Sequence, residues 1–153
     1  DEAAWQCWMQ IGYGKIGTSP DMSARYCYFL SDRDQQVMNK DRIFEQACAL
    51  NLSMQEPYRP PEIPTIRLAN PNMREKMHTF MENGVSQGMF TPHNLTTAMA
   101  IADVIVAKEG ERQSVTEQDV FARERSNFIK LAKTPQTLTR IASLLDSGTA
   151  EQN

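Results

Sequence analysis

The sequence is poor in the side chains that most enzymes use for chemistry. In 153 residues it has two histidines, His78 and His93, and three cysteines, Cys7, Cys27 and Cys48. The histidines fall on different predicted helices, and neither has a partner at i+4, so they do not make a zinc motif. The cysteines lack the two-to-four-residue spacing of thiolate metal sites, and their number is odd. They are expected to be free, mostly buried thiols of a reducing compartment, which places the protein in the cytoplasm. A nucleophilic Cys would need a His and a polar orienter, and no such set stands out. There is no Gly-rich phosphate loop, no GxSxG turn and no HExxH pair. The sequence therefore assigns no catalytic residue and no metal ligand. It leaves cofactor-binding residues open.

Long apolar runs are missing too. The longest candidate, Ala98 to Ala107, is interrupted by Asp103 and falls short of the roughly 18 residues that a helical membrane span requires. Positive charge is not concentrated either. Lys plus Arg total 16 against 19 for Asp plus Glu, a net charge of −3, which argues against a nucleic-acid partner. The chain opens Asp1-Glu2-Ala3-Ala4, without the basic and apolar regions of a secretory leader. It also lacks an initiating Met, which points to a processed protein or to a piece of a longer one. Seven glycines and eight prolines are ordinary usage and exclude collagen-like or low-complexity classes. The 41% of hydrophobic residues suffices for one core of ordinary domain size.

What the sequence does contain is helix signals. From Glu2 to Tyr13, residues Trp5, Trp8 and Met9 recur at helical spacing and predict a buried stripe, with ligand stacking as the alternative use of two Trp. Gly12 and Gly14 end that helix. Thr18-Ser19-Pro20-Asp21 predicts a helix start and a short helix to about Tyr28, burying Met22, Tyr26 and Phe29. Leu30 to Met38 lacks helical period, and Gln36-Val37-Met38 reads as a brief extended piece. Asn39 is an N-cap candidate, with Asp41 near the positive end of the dipole. Ile43, Phe44, Ala47, Cys48 and Leu52 make the stripe of a helix to about Ser53.

Pro57, Pro60, Pro61 and Pro64 then forbid helix and predict an extended strap. This is the boundary of the chain: a helical segment over 1–55, a Pro-rich linker over 56–69 and a helical bundle over 70–153. In the bundle, Asn70-Pro71 opens a helix carrying Met73, Met77, Phe80 and Met81, weakening at Gly84 and Gly88. Thr91-Pro92 opens a second, with Leu95, Ala98, Met99, Ala102, Ile105 and Val106 on one side. Thr116-Glu117-Gln118-Asp119 resembles a capping box ahead of Val120, Phe121, Phe128, Ile129 and Leu131. Thr134-Pro135 opens the last, with Leu138, Ile141, Ala142 and Leu145, and Gly148 suits its C-cap. The fold class is all-α, about six to seven helices in two parts. The stripe Met73, Met77, Met81 suits core packing or a permanent helix partner, and a soft binding groove is the alternative. Arg123-Glu124-Arg125 reads as a solvated face with i, i+4 pairing rather than a phosphate site.

Several strings carry a family likeness. Tyr58-Arg59-Pro60-Pro61 follows a helix beginning Asn39-Lys40-Asp41-Arg42. Val115-Thr116-Glu117-Gln118 precedes Glu124-Arg125 and Phe128. Pro135, Thr137, Arg140 and Ile141 precede a closing Gly and the final Asn153. In this order they resemble the C-terminal end of long bacterial 3-hydroxyacyl-CoA dehydrogenases, in which an NAD-dependent half is joined to an enoyl-CoA hydratase domain of crotonase type. Lys15-Ile16-Gly17-Thr18-Ser19 looks like the segment that follows the last catalytic stretch of that domain, with Tyr28-Phe29-Leu30 at its "GLV"-like turn.

The resemblance implies a fatty-acid β-oxidation parent using NAD and acyl-CoA, with its oxyanion hole, acid–base pair and dinucleotide site outside these residues. This chain would be the helical trailer that packs on the crotonase core, helps enclose acyl-CoA and makes subunit contacts. It would hold no cofactor itself. Its partner would be that core or a second copy of itself. Two departures limit the transfer. The tail Asp146-Ser147-Gly148-Thr149-Ala150-Glu151-Gln152-Asn153 has acids where relatives have bases, which puts any contact there with the CoA phosphates in doubt. Asn94 replaces the acid that follows the relatives' His, so His93 inherits no role. A free-standing helical interaction module without chemistry is the alternative. A trailer of this kind is expected to bare an apolar patch larger than a monomer normally shows.

Overall fold

Local chemistry sets most of the helix ends. The structure, a computed structural model, describes residues 1–55 and 58–153. Helix α1 (Glu2–Gly12) closes at Tyr13, followed by Gly14 at φ +58°. Helix α2 (Pro20–Ala24) starts as read, with the Ser19 hydroxyl accepting from the Met22 amide and Pro20 in the first turn. It stops well before Tyr28, because Cys27 adopts φ +58°, a left-handed conformation that no α-helix can contain. Its expected burial fails as well: Met22 is exposed, and Tyr26 and Phe29 are half-buried. Asn39 caps a 3-10 turn, Lys40–Arg42, that leads into α3 (Ile43–Ser53).

The second part follows its caps closely. It comprises α4 (Asn72–Ser86), α5 (Pro92–Ile105), α6 (Glu117–Ala132) and α7 (Pro135–Ser147). Thr91 and Thr134 each accept an orphan amide two residues past a Pro. Thr116 and Asp119 make the reciprocal capping box. Gly148 ends α7 at φ +73°, where a side chain would be strained. Replacing Thr116 by Ala removes one half of the box and should cost about 1 kcal/mol. The urea midpoint of the purified chain checks this, and an unchanged midpoint would show that α6 does not depend on its cap.

Among the described residues there are seven α-helices and one two-stranded antiparallel sheet, so the chain is mostly helical as its patterning indicates. The extended piece is not at Gln36-Val37-Met38, which has no regular structure. It lies at the end of the Pro-rich strap. There β1 (Thr65–Arg67) pairs with β2 (Ser114–Thr116), with Ile66 opposite Val115. A strand needs a partner edge, and the turn that precedes α6 supplies it. Just past β1, the Ala69 N–H donates to the Ile105 carbonyl at 2.9 Å and the Ala69 carbonyl accepts from the Ala107 N–H at 3.0 Å, an isolated bridge to the end of α5. Residues 58–64 are neither helix nor strand, in keeping with the strap, and Pro57 lies outside the described residues.

Two units result. One joins Asp1–Gly14 to Ile63–Asn153, and the other is Lys15–Glu62. This regroups the segment read as 1–55, because α1 belongs with α4 and α5. The reason is its aromatic face. The Trp8 indole N–H donates to the Ala98 carbonyl at 2.8 Å, and Phe80 meets Trp5 and Trp8 edge-on at 5.5 and 5.9 Å between ring centres. Met73, Met77, Met81, Met99 and Ala102 complete that core, so the methionine stripe is packing. The unit Lys15–Glu62 is different. None of its described residues is buried, and the α3 stripe of Ile43, Phe44 and Leu52 lies open, because nothing within the unit covers it. Among the described residues, no helix is long and apolar enough to cross a membrane.

Candidate functional site

The first turn of α5 and the middle of α7 place a polar cluster beside an aromatic cavity. The Arg140 guanidinium is its centre. Nε donates to the Asn153 side-chain carbonyl at 2.8 Å. Nη2 reaches the Asn153 main-chain carbonyl at 2.8 Å, Asn94 Oδ1 at 2.7 Å and the Thr91 hydroxyl at 3.2 Å. The Asn153 amide in turn donates to the Gln136 carbonyl at 3.1 Å. One arginine thus ties the start of α5 and the last residues of the sequence to α7. Among the described residues, no Asp or Glu side chain pairs with Arg140.

His93 lies one residue before Asn94 and is buried, with Nε2 at 2.9 Å from the Thr137 hydroxyl. Burial, and secondarily the nearby Arg140 charge, hold its pKa below the ordinary value of 6.5. The folded chain therefore keeps His93 neutral at pH values where the unfolded chain already binds a proton. Stability is fully retained above about pH 6.5 and falls as the pH drops from there through the lower folded value. Urea midpoints measured across that range should fall more steeply for the native chain than for His93→Gln. Equal slopes would remove His93 from the account.

Beside Arg140 opens a cavity of about 430 Å³. Its walls include Trp8, Phe80, Phe90, Met81 and Ile101, and its polar edge is Asn94, Thr97, Gln152 and Arg140. Tyr13 and Phe90 stand 6.4 Å apart at the mouth of α1, and Phe80 and Phe90 are 6.1 Å apart. Phe90 is held close to the backbone of α4: a Cβ on Gly84 would come within 2.2 Å of its ring. Among the described residues, no Asp, Glu, Cys or His side chain lines the cavity. Its size suits the binding of a small molecule.

The other residues singled out in the sequence do not converge on this cavity. His78 faces its own helix neighbour, Nδ1 to Glu82 at 3.3 Å, so it does have a partner at i+4. Arg123 pairs with Glu111 and the Val106 carbonyl across the fold rather than at i+4 along α6. The three thiols are free, but Cys27 and Cys48 are exposed and Cys7 is half-buried, so the expected burial fails. Cys27 and Cys48 lie in the unit that has no buried residue. No group of three or more metal-ligating side chains occurs among the described residues.

Sequence reading missed the cluster because its members are scattered. Thr137, Arg140 and Asn153 carried the family likeness without a role, Thr91 was read only as a helix start, and Asn94 only as a departure from the likeness. No spacing rule links 91, 94, 140 and 153. Comparison with known protein families, curated proteins and solved structures finds no match to this chain.

Proposed function

We propose that this chain is the C-terminal helical part of a cytoplasmic fatty-acid β-oxidation enzyme of the 3-hydroxyacyl-CoA dehydrogenase and enoyl-CoA hydratase type. In that role it packs against the catalytic core, helps enclose acyl-CoA or joins subunits, and is not catalytic alone. NAD and acyl-CoA belong to the parent protein. The likeness of the Tyr58-Arg59-Pro60-Pro61, Val115-Thr116-Glu117-Gln118 and Thr137…Arg140…Asn153 strings suggests the family. The observation that carries the structural half of the reading is the uncovered apolar surface of α6 and α7. Phe128 is 64% exposed, Leu145 80%, Leu138 54% and Leu144 52%.

Four large apolar side chains left in water on two adjacent helices are a face built for contact. On α7, Leu138, Ile141 and Leu145, all exposed, recur at three-, four- and seven-residue intervals, the pattern of a helix meant to lie on something. The test uses the full gene product beside the 153-residue chain. The full product should hydrate crotonyl-CoA and oxidise 3-hydroxyacyl-CoA with NAD, and amides of α7 should exchange more slowly in it than in the shorter chain. Crotonyl-CoA hydration by the shorter chain, or a full product without either activity, would overturn the reading.

A further inference from the structure

We propose that the cavity between α1, α4, α5 and α7 is a binding site for a small uncharged aromatic molecule, held by a wall of aromatic rings. This goes beyond the proposed function and does not rest on it. Every lining residue belongs to the one unit of Asp1–Gly14 with Ile63–Asn153, so the other unit is not needed to form the site. Trp8, Phe80, Phe90 and Tyr13 all line the cavity and follow one another as a chain of rings. Their successive centres stand 5.9, 6.1 and 6.4 Å apart, at tilted or edge-on angles. In such a setting a further ring gains contact beyond what its area alone provides.

The wall is fixed before any ligand arrives. The Trp8 indole N–H is bonded to the Ala98 carbonyl, and the Phe90 ring lies over Gly84, where no side chain stands between them. A cleft already formed loses less on binding than one that must first be ordered. At about 430 Å³ it lies within the range of small-molecule sites.

Charge decides against an ionic ligand. Arg140 is the only charged residue on the lining, and its Nε and Nη2 donate to Asn153, Asn94 and Thr91. In the 153-residue chain the Asn153 main-chain oxygen, 2.8 Å from Nη2, is part of the terminal carboxylate, so the guanidinium already has its counter-ion. A cation entering the cleft meets no Asp or Glu side chain on the lining, and an anion competes with that carboxylate. Either gives up hydration without gaining a partner of its own. The other polar side chains there, Asn94, Thr97 and Gln152, are neutral amides and a hydroxyl. They suit an uncharged hydroxyl or amide substituent on the ring.

Binding is read on the intact 153-residue chain by calorimetry, and its location by amide-resolved NMR. Probes of similar size separate ring character from charge: phenethyl alcohol, 2-cyclohexylethanol, phenylacetate and phenethylamine. Phenethyl alcohol should bind roughly threefold or more tightly than its saturated analogue, the factor expected of aromatic pair contacts. Apolar burial alone predicts the reverse order, because the cyclohexyl compound is the more hydrophobic. The alcohol should also bind roughly tenfold or more tightly than either ion. Its shift changes should centre on Thr97, Ala98 and Ile101. Phe90→Leu removes one ring and should bring the alcohol and its saturated analogue to equal affinity. Ile101→Phe fills the cleft and should abolish binding of both. No binding of phenethyl alcohol at millimolar concentration, an ion or the saturated analogue bound as tightly, shift changes confined to other residues, or unchanged affinities in either variant would each overturn the site. If a variant does not fold, the probe order and the shift map of the native chain decide.

Discussion

Replacing Trp8 by Ala should lower the stability of the unit that holds it by about 3–5 kcal/mol, the largest effect expected of any single substitution here. Trp8 is 2% exposed and its indole N–H is bonded to the Ala98 carbonyl, so the change loses both apolar burial and a hydrogen bond across 90 positions of sequence. It also strips Phe80 of one of its two edge-on partners. Trp8→Phe separates the contributions. It keeps a ring in place and gives up the N–H, which should cost about 1 kcal/mol for the lost bond and a further part for the smaller ring. Urea denaturation followed by far-UV circular dichroism measures both. A loss under about 1 kcal/mol for Trp8→Ala would mean that α1 is not held to α5 by this residue.

Met77→Ala should come next, at about 2–5 kcal/mol. Met77 is the largest side chain with no exposure at all, and it sits at the centre of the methionine stripe of α4. Deleting its thioether leaves a void lined by neighbours already fixed by α1 and α5, so little collapse can refill it. Met77→Leu conserves volume and should cost less than about 1.5 kcal/mol. The two deletions share one core cluster, so they should not add: the double variant is expected to depart from the sum by about 0.5–3 kcal/mol. Additive losses would place Trp8 and Met77 in separate packing units.

The apolar face of α6 and α7 shows why burial is harder to read than helix position. Val120, Phe121, Phe128, Ile129, Leu138, Ile141 and Leu145 follow the same helical spacing as the residues of α4 and α5. Yet Met73, Met77 and Met81 are buried, whereas Phe128 and Leu145 are open to water. Periodicity says that a face is apolar and says nothing of what lies against it. The same holds for α3, whose Phe44 is 82% exposed. It held in reverse for α1, placed by its position in the chain with the following residues and held in fact by α5.

The caps were legible because they are local. Ser19, Asn39, Thr91, Thr116 and Thr134 each act on an amide two or three residues away, so the side chain and the group it satisfies are printed side by side. The same locality explains the early end of α2, which turns on one left-handed residue, Cys27, that no composition rule would single out.

Sequence by itself determined that the chain is helical, where most helices begin, which faces are apolar, and that the inventory of reactive side chains is thin. Each of these follows from neighbours within one or two turns. Tertiary structure alone decided that α1 joins α4 and α5, that the end of the strap becomes a strand, and that Arg140 gathers Thr91, Asn94 and Asn153 beside an aromatic cleft. Those contacts join residues dozens of positions apart, and their formation depends on how whole helices exclude water together rather than on any local preference.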